Sequence, residues 1–290
     1  MDVLSDAISA MRVGRPSLTL VAVEPSWRGD VELFDGARFY VVTAGSIRVA
    51  RSTLVAGDAV LLPHGTAHTL ENAANALDGT AHVLSGAYQL DRARPHPMFQ
   101  SLPEIVSLPA HPDRYPGLQT SIDLVRAEIA GDAYGTDLVL PALLDVLFVH
   151  LVRAYLIDRA SSPSATGWCV ALDDAVVGRS LRAVHERPAH PWTVESLGAH
   201  AGLSRAAFAR RFTALVGQPP LTYLTWWRLT TAAHLLETTD VPLSVVAQRT
   251  GYGSAYAFAN AFKREYGVSA GRYRQQRHTG SGTQAARGEA

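Results

Sequence analysis

The sequence is poor in the features that mark secreted proteins. It has a single cysteine, Cys169, in 290 residues, so an internal disulfide framework is excluded and a reducing compartment is indicated. Its start, MDVLSDAISAM, contains Asp2 and Asp6 and lacks the basic residues that precede the apolar segment of a secretion signal. We therefore expect a cytoplasmic protein.

The sequence also lacks a long hydrophobic run free of polar groups. Its most apolar stretch, 138–157, contains Pro141, Asp145, His150 and Arg153, all of which would be costly inside a bilayer. The stretch is therefore predicted to be an amphipathic helix of a globular domain, and no membrane association is expected.

The absence of net charge conceals an uneven distribution. Residues 1–175 carry 12 basic and 20 acidic side chains, whereas residues 176–278 carry 13 basic and 5 acidic ones. The net charge is therefore −8 in the first segment and +8 in the second. This change of sign indicates two domains, of which the C-terminal one has an anionic partner.

Short apolar segments separated by turn residues fill the N-terminal third. RFYVVTAGSIRVA (38–50) and TLVAGDAVLLPHGTAHTL (53–70) combine strand-like stretches with Ala-Gly, Gly-Asp and Pro-His-Gly turns. This spacing predicts an antiparallel barrel or sandwich. We expect a two-domain α+β fold in which the barrel and some helices precede an all-α domain. The predicted boundaries are a barrel in 1–116, a helical dimerisation segment in 117–158, a linker in 159–172, a helical domain in 173–278 and a disordered tail in 279–290.

Two similar segments lie about 50 residues apart in the C-terminal half. GLSRAAFARRF (202–212) and GYGSAYAFANAFKREYG (251–267) each contain a glycine turn, a serine and two phenylalanines four residues apart. Each predicts a helix-turn-helix whose second helix begins at a serine N-cap. The stretch between them, 221–239, predicts a helix about 25 Å long. Such a helix is a plausible spacer between two DNA-reading helices that lie roughly 34 Å apart, the length of one DNA turn. The predicted core aromatics are Phe208, Phe212, Phe258, Phe262, Trp226 and Trp227.

Residues 173–276 resemble the DNA-binding domain of the AraC/XylS transcriptional regulators. The likeness rests on SLGAHAGLSRAAFARRFTALVGQPPLTYLTWWRL (196–229) and LSVVAQRTGYGSAYAFANAFKREYGVSAGRYR (243–274). It implies an AraC-type domain whose two helix-turn-helix subdomains enter successive major grooves on one side of double-stranded DNA.

The resemblance assigns roles to the second helix of the first pair. Ala206, Ala209 and Arg210 are expected at base edges, and Arg210 is the one able to make a bidentate contact with guanine O6 and N7. Arg205 and Arg211 flank that face and are expected at phosphates, which position the protein without reading sequence.

Corresponding roles follow for the second helix of the second pair. Ala255, Tyr256 and Asn260 are expected at base edges, and Asn260 is able to contact adenine N6 and N7. Lys263 and Arg264 are expected at the DNA backbone. Since this reading face has fewer cations, the first copy is predicted to contribute more of the sequence specificity.

A second resemblance concerns the barrel. GDAVLLPHGTAHTLEN (57–72) has the spacing of the second motif of the cupin barrels, in which the histidine is an inward-pointing metal ligand. The matching positions are Gly57, Pro63, Gly65, His68 and Asn72.

The first cupin motif is incomplete. It should supply His-x-His and a glutamate seven residues before a glycine, yet with Gly45 as that glycine, Arg38 occupies the glutamate position and no His-x-His precedes it. We therefore expect no metal and no cofactor, and we expect His64 and His68 to be hydrogen-bonded turn residues. The residues expected to contact an effector are Arg38, Tyr40, His64 and His68.

Residues 2–157 as a whole resemble the cupin-type sensor domain of some AraC regulators. This resemblance implies an effector-binding or regulatory module whose following helices form a homodimer contact. The helix at 138–157 also predicts such a contact, because its apolar stripe is wider than one barrel face requires. The stripe is formed by Leu140, Leu143, Leu144, Leu147, Leu151 and Tyr155, and Phe148 and Val152 widen it.

These patterns together predict a sequence-specific, DNA-binding transcription regulator without catalytic residues, with an effector of unknown identity. Two alternatives remain open. The first is a metal-dependent cupin enzyme fused to a DNA-binding domain, which metal analysis of the protein would reveal. The second is an architectural DNA binder without an effector, which a sequence-insensitive footprint would reveal.

Overall fold

The computed structural model describes residues 2–12, 16–73, 79–90, 95–131, 133–163 and 165–276. The chain divides into two compact units. The barrel unit comprises Met11–Ala165, and the helical unit comprises Met1–Ala10 together with Thr166–Ala290. The first ten residues, which the sequence analysis assigned to the barrel, thus belong to the helical unit. The predicted disordered tail, 279–290, lies outside the described residues.

Two antiparallel sheets form the barrel unit, as the turn spacing predicts. One sheet has the strand order β1-β8-β3-β6-β9 and the other the order β2-β7-β4-β5. The strands are β1 (Ser17–Val23), β2 (Arg28–Val31), β3 (Gly36–Ala44), β4 (Ser46–Val49), β5 (Ser52–Val55), β6 (Ala59–Leu62), β7 (His68–Asn72), β8 (Ala81–Gln89) and β9 (Val106–Leu108).

The central strand β3 is buried on both faces. Tyr40 and Val42 lie in the apolar cluster between the sheets, and Phe39 and Val41, on the opposite face, are fully buried as well. Gly86 on the neighbouring strand makes room for Phe39, because a Cβ there would lie 2.0 Å from the Phe39 ring. The side chains of β3 therefore contribute to two packed layers.

Helices α2 (Pro97–Gln100), α3 (Pro116–Ala130) and α4 (Thr136–Ala160) complete the barrel unit. By length and composition alone, α4 would be long and apolar enough to cross a membrane. Phe148 in its centre is instead buried, with its ring 4.4 Å from that of Tyr88 and 6.2 Å from that of Phe99. One side of α4, which includes Leu144, Leu147, Phe148, Leu151 and Val152, therefore belongs to the core of its own unit.

This packing corrects one sequence-based expectation. Phe148 and Val152, the residues expected to widen the stripe toward a partner, are both fully buried within the chain. The exposed apolar residues of α4 lie elsewhere, at Leu138, Val139, Val146 and Ile157. Residue spacing alone could not say which side of an apolar helix the barrel covers.

The helical unit contains α1 (Val3–Met11, whose last residue belongs to the barrel unit), α5 (Trp168–Ala171), α6 (Val177–Glu186), α7 (Val194–His200), α8 (Arg205–Val216), α9 (Pro220–Thr238), α10 (Leu243–Arg249) and α11 (Ala255–Tyr266). The short helix α5 lies in the predicted linker, and its Trp168 is buried. Helix α6 begins just after Asp174, whose carboxylate accepts the N–H groups of Val176 and Val177 at 3.0 and 2.8 Å. The six predicted core aromatics are all buried.

Candidate DNA interface

The first helix-turn-helix consists of α7 and α8. Thr193 caps α7 through a reciprocal pair of bonds with Ser196, and Ser204 caps α8 by accepting the Ala207 N–H at 3.4 Å. The turn between them contains Gly202 in the left-handed conformation, with φ 77°. Where the helices cross, Gly198 allows a close approach, since a Cβ there would lie 3.0 Å from the Leu203 carbonyl oxygen.

The second helix-turn-helix, α10 and α11, repeats this local chemistry. Gly251 has φ 78°, and Ser254 accepts the Ala257 N–H at 3.1 Å. Ala247 is buried at the position that corresponds to Gly198. The equivalent glycines Gly217 and Gly267 end α8 and α11 with φ 83° and 72°. The repeat predicted from the sequence is therefore present as two similar structural units.

Helix α9 connects the two pairs. It contains 19 residues and is therefore about 28 Å long at 1.5 Å per residue. Its Leu229, Ala232 and Leu236 are buried with Phe258 and Phe262 of α11 in one apolar cluster. The second helix-turn-helix is thereby packed directly on the connecting helix.

The outer face of α8 carries most of the residues predicted to read DNA in the first copy. Arg205, Ala206 and Arg210 are exposed, and Ala209 is half-buried. This face adjoins an open apolar groove lined by residues of α7, α8 and the start of α9, namely Val194, Ala209, Arg210, Thr213, Ala214, Pro219, Pro220 and Leu221. The arginine guanidinium is thus presented beside small apolar side chains suited to contact with thymine methyl groups.

Arg211 differs from its neighbours, because its guanidinium is held by Asp174. Its Nε and Nη2 donate to Asp174 Oδ2 at 3.0 and 2.5 Å. Burial raises the pKa of the Asp174 carboxyl, but the hydrogen bonds from Arg211 and from the Val177 and Val176 N–H groups bring the pKa below its usual value. The ion pair joins α8 to the capped start of α6.

On α11, the predicted contact residues are accessible. Tyr256 is 78% exposed, Asn260, Lys263 and Arg264 are exposed, and Ala255 is half-buried. The face therefore offers one amide, one phenol and two cations to a partner.

Arg228 of α9 has a structural role that the sequence patterns do not predict. Its Nε donates to the Pro188 carbonyl oxygen at 2.7 Å and its Nη2 to the His190 carbonyl oxygen at 2.8 Å. A Cβ on Gly251 would lie 2.7 Å from this Nη2. The half-buried guanidinium therefore holds the loop after α6 by hydrogen bonds and lies close to Gly251 in the turn of the second helix-turn-helix. The signal in the sequence is a lone arginine within the apolar helix TYLTWWRLTTAAHLL.

In the barrel, Tyr40 and His68 form a buried pair. The Tyr40 hydroxyl lies 2.9 Å from His68 Nε2, and His68 Nδ1 lies 2.7 Å from the Thr66 carbonyl oxygen. Burial lowers the pKa of His68, the Thr66 carbonyl raises it, and the Arg38 charge lowers it further. The imidazole is therefore neutral, with Nδ1–H donating to Thr66 and Nε2 accepting from Tyr40.

These residues do not fit a metal. Both ring nitrogens of His68 are engaged, and Arg38 brings a positive charge to the same place, where it hydrogen-bonds to Tyr40 and lies 5.3 Å from the Phe34 ring. Across the described part of the chain, no group of three or more His, Cys, Asp or Glu side chains is placed to hold a metal ion. His68, the histidine of the second cupin motif, is therefore part of a series of hydrogen bonds from Tyr40 to the Thr66 carbonyl oxygen.

His64 lies apart from this pair. Its Nε2 is 3.0 Å from the Leu102 carbonyl oxygen, and its side chain lines a cavity of about 280 Å³ at the end of the barrel. Arg38, Tyr40 and His68 are not among the residues lining that cavity. The lining residues are Met11, Gly36, Pro63, His64, Leu90, Pro95, Phe99 and Gln100.

Comparison with known proteins agrees with both halves of this architecture. The cupin family model matches residues 2–157, and a helix-turn-helix domain model matches residues 197–276. An activator from Escherichia coli, the RCS-specific HTH-type transcriptional activator RclR, is 30% identical over 246 residues, which cover 82% of this chain and 84% of that protein. The chain belongs to the AraC family.

Other regulators and one solved structure are similar to different lengths of the chain. The HTH-type transcriptional regulator AlkR of Acinetobacter baylyi is 28% identical over 95% of this chain and 100% of its own length. An AraC-like transcription regulator of Streptomyces antibioticus is 35% identical over 193 residues, and the match spans 63% of its length. Among solved structures, the DNA-binding domain of AdpA in complex with a target DNA is 33% identical, covering 40% of this chain and 99% of that one with a TM-score of 0.33.

The AraC-family chain is therefore a DNA-binding transcription regulator with a cupin-type domain. Its relatives are regulators of transcription, which supports this function over the cupin-enzyme alternative.

Proposed function

We propose that this regulator is a cytoplasmic, effector-responsive homodimer whose α8 and α11 read two successive major grooves of its operator. The observation that carries the proposal is the in-register pair of helix-turn-helix units, each with a capped second helix whose outer face is exposed. They are joined by a connecting helix about 28 Å long, close to the roughly 34 Å of one DNA turn. The excess of basic residues in 176–278 supplies the attraction to phosphates.

Within this arrangement, Arg210 reads base sequence and Arg205 contacts the backbone. Ala206 and Ala209 leave the groove floor accessible or contact thymine methyl groups. On α11, Asn260 reads adenine beside Ala255 and Tyr256, while Lys263 and Arg264 contact phosphates. In vitro selection of binding sites from random DNA tests the proposal. A two-part consensus is expected, and the absence of any consensus would support an architectural binder.

Dimerisation is proposed through the exposed side of α4. Val139, Val146 and Ile157 recur at seven- and eleven-residue spacing and are 40–49% exposed, which places them on one stripe of the helix. Leu124 of α3 is exposed to a similar degree. An apolar stripe of this kind fits the same stripe of a second copy related by two-fold symmetry.

The effector site is proposed in the cavity beside His64. A volume of about 280 Å³ and a lining dominated by Met11, Leu90 and Phe99 favour a small, mostly apolar molecule. His64 and Gln100 offer polar contacts there. We propose that Arg38, Tyr40 and His68 form a hydrogen-bonded group that stabilises the interior of the barrel. We also propose that the protein catalyses no reaction.

A further inference from the structure

Arg228 lies near the middle of the connecting helix α9, where the residues that pack on α6 give way to those that pack on α11. The ring of the preceding residue, Trp227, stacks on His185 of α6 with centroids 3.8 Å apart. The following residue, Leu229, belongs to the apolar cluster that contains Phe258 of α11. Arg228 is therefore the point on α9 at which the packing changes from one helix-turn-helix to the other.

The Arg228 guanidinium holds the loop between α6 and α7. Its Nε and Nη2 donate to the Pro188 and His190 carbonyl oxygens at 2.7 and 2.8 Å. The His190 carbonyl oxygen also accepts the Trp192 N–H at 2.7 Å, and the next residue, Thr193, caps α7. The two hydrogen bonds from Arg228 therefore fix the backbone that leads into the first helix-turn-helix.

The same guanidinium lies against the turn of the second helix-turn-helix. A Cβ on Gly251 would lie 2.7 Å from Arg228 Nη2 and 2.9 Å from the Ala189 Cα, so the turn approaches both the arginine and the loop after α6 as closely as only glycine allows. Burial lowers the pKa of Arg228, and the Tyr252 phenol raises it. The Tyr252 ring packs on Phe258 of α11, with centroids 5.6 Å apart. One guanidinium thus contacts both the entry to α7 and the turn before α11.

We propose that Arg228 is a positioning residue that fixes the orientation of α11 relative to α8, and thereby the spacing of the two DNA segments that the protein accepts. A connecting helix alone leaves two units free to twist about it. A second contact, formed by Arg228, the loop 187–191 and Gly251, removes that freedom. The effect on DNA rests on the proposed reading of two grooves, whereas the positioning itself stands on these contacts alone.

Spacing preference on DNA is the first test, because it is a ratio of two affinities that a general loss of stability does not change. One base pair inserted between the two parts of a site selected by the wild type moves the second part by about 3.4 Å and rotates it by about 35°. We expect the wild type to bind this longer site about tenfold more weakly, since α11 loses base contacts. In Arg228→Ala the difference should shrink to about threefold or less.

Arg274→Ala is the matched control. Arg274 is also a half-buried arginine of the helical unit, and its Nη2 donates to the Val241 carbonyl oxygen at 2.7 Å. Val241 lies in the loop between α9 and α10, so this hydrogen bond stays beside the second helix-turn-helix. Arg274→Ala should therefore keep the wild-type ratio between the two sites.

The second test measures the orientation of the two units without DNA. Spin labels at Glu195→Cys on α7 and Gln248→Cys on α10, both exposed positions, are introduced into the full chain after the single cysteine is removed by Cys169→Ser. Dilution with unlabelled protein restricts pulsed electron–electron double resonance to distances within one chain. We expect a narrow distance distribution in the wild type and in Arg274→Ala, and a broader or shifted one in Arg228→Ala.

An unchanged distance distribution in Arg228→Ala refutes the positioning role, as does a change of equal size in Arg274→Ala. A broader distribution with an unchanged spacing preference refutes the effect on DNA. If Arg228→Ala does not fold, Arg228→Lys decides by the same criteria, because it keeps the charge but loses the fork of donors that reaches two carbonyl groups. A wild type that selects no two-part site overturns the proposed function, and the distance measurement still decides the role of Arg228.

Discussion

The ion pair between Arg211 and Asp174 supports the proposal that Arg211 has a structural role, whereas Arg210 contacts DNA. Arg211→Ala removes the hydrogen bonds that Nε and Nη2 donate to the Asp174 carboxylate, which is 4% exposed, and leaves that carboxylate with the N–H groups of Val176 and Val177. Because the arginine side chain is itself 52% exposed, solvent screening limits the loss. We expect the free energy of unfolding of the helical unit to fall, so that this unit unfolds at a lower urea concentration.

Urea unfolding followed by tryptophan fluorescence measures this loss. Four of the five tryptophans, all except Trp27, lie in the helical unit, so the signal reports mainly on its unfolding. Arg210→Ala is the matched control, since Arg210 is an exposed arginine on the same helix. It should leave the midpoint unchanged.

The salt dependence of DNA binding tests whether Arg211 contacts a phosphate. A phosphate contact contributes about 0.9 to the slope of log K against log[salt]. Since Asp174 already holds Arg211 through Nε and Nη2, we expect Arg211→Ala to leave this slope unchanged. A slope reduced by about one, with unfolding unaffected, would show that Arg211 contacts phosphate, as the sequence resemblance implies.

Four further predictions concern other residues. Arg210→Ala should cost about 1–3 kcal/mol of binding and relax one base position in site selection; unchanged base preferences would contradict its assignment. Val146→Glu should give a monomer by light scattering, whereas Val55→Glu, the same change at a 53% exposed position in the barrel, should not; a wild type that is monomeric at micromolar concentration removes the dimer. Burial lowers the pKa of His185 although Asp6 raises it. The free energy of unfolding should therefore fall as the pH drops below about 6.5, the pKa of histidine in the unfolded chain. The loss is about 1.4 kcal/mol for each pH unit by which the pKa in the folded protein lies below that value. Urea unfolding at pH 7.5 and 5.5 should show this loss, and His185→Gln should reduce it. Purified protein should contain well under one equivalent of metal; a stoichiometric metal lost in His68→Ala would revive the enzyme alternative.

The features that the sequence predicted well are set by local chemistry. Gly202 and Gly251 adopt φ near 78°, and Ser204 and Ser254 cap the helices that follow. These requirements act over four or five residues, so they are visible in a quoted segment. The core roles of Phe208 and Phe258 follow from the same helical spacing.

The features that the sequence did not reveal depend on contacts between distant residues. Spacing identified α4 as a helix with a wide apolar stripe, yet only the packing of Phe148 on Tyr88 shows which side the barrel covers. Asp6 and His185 are 179 positions apart, and no local pattern connects them. Arg210 and Arg211 are adjacent in the sequence, and only the contact of Arg211 with Asp174, 37 positions away, gives a reason to propose different roles for them.

The most direct test of the account is a hydroxyl-radical footprint of the full-length protein on a DNA site that it has selected. Two grooves read by α8 and α11 should give two protected segments on one side of the duplex, centred about 10 base pairs apart. Arg210→Ala should weaken the first segment and Asn260→Ala the second. A single protected segment that only the Arg210 substitution affects, or protection that does not depend on sequence, would contradict the reading of DNA by both helix-turn-helix units.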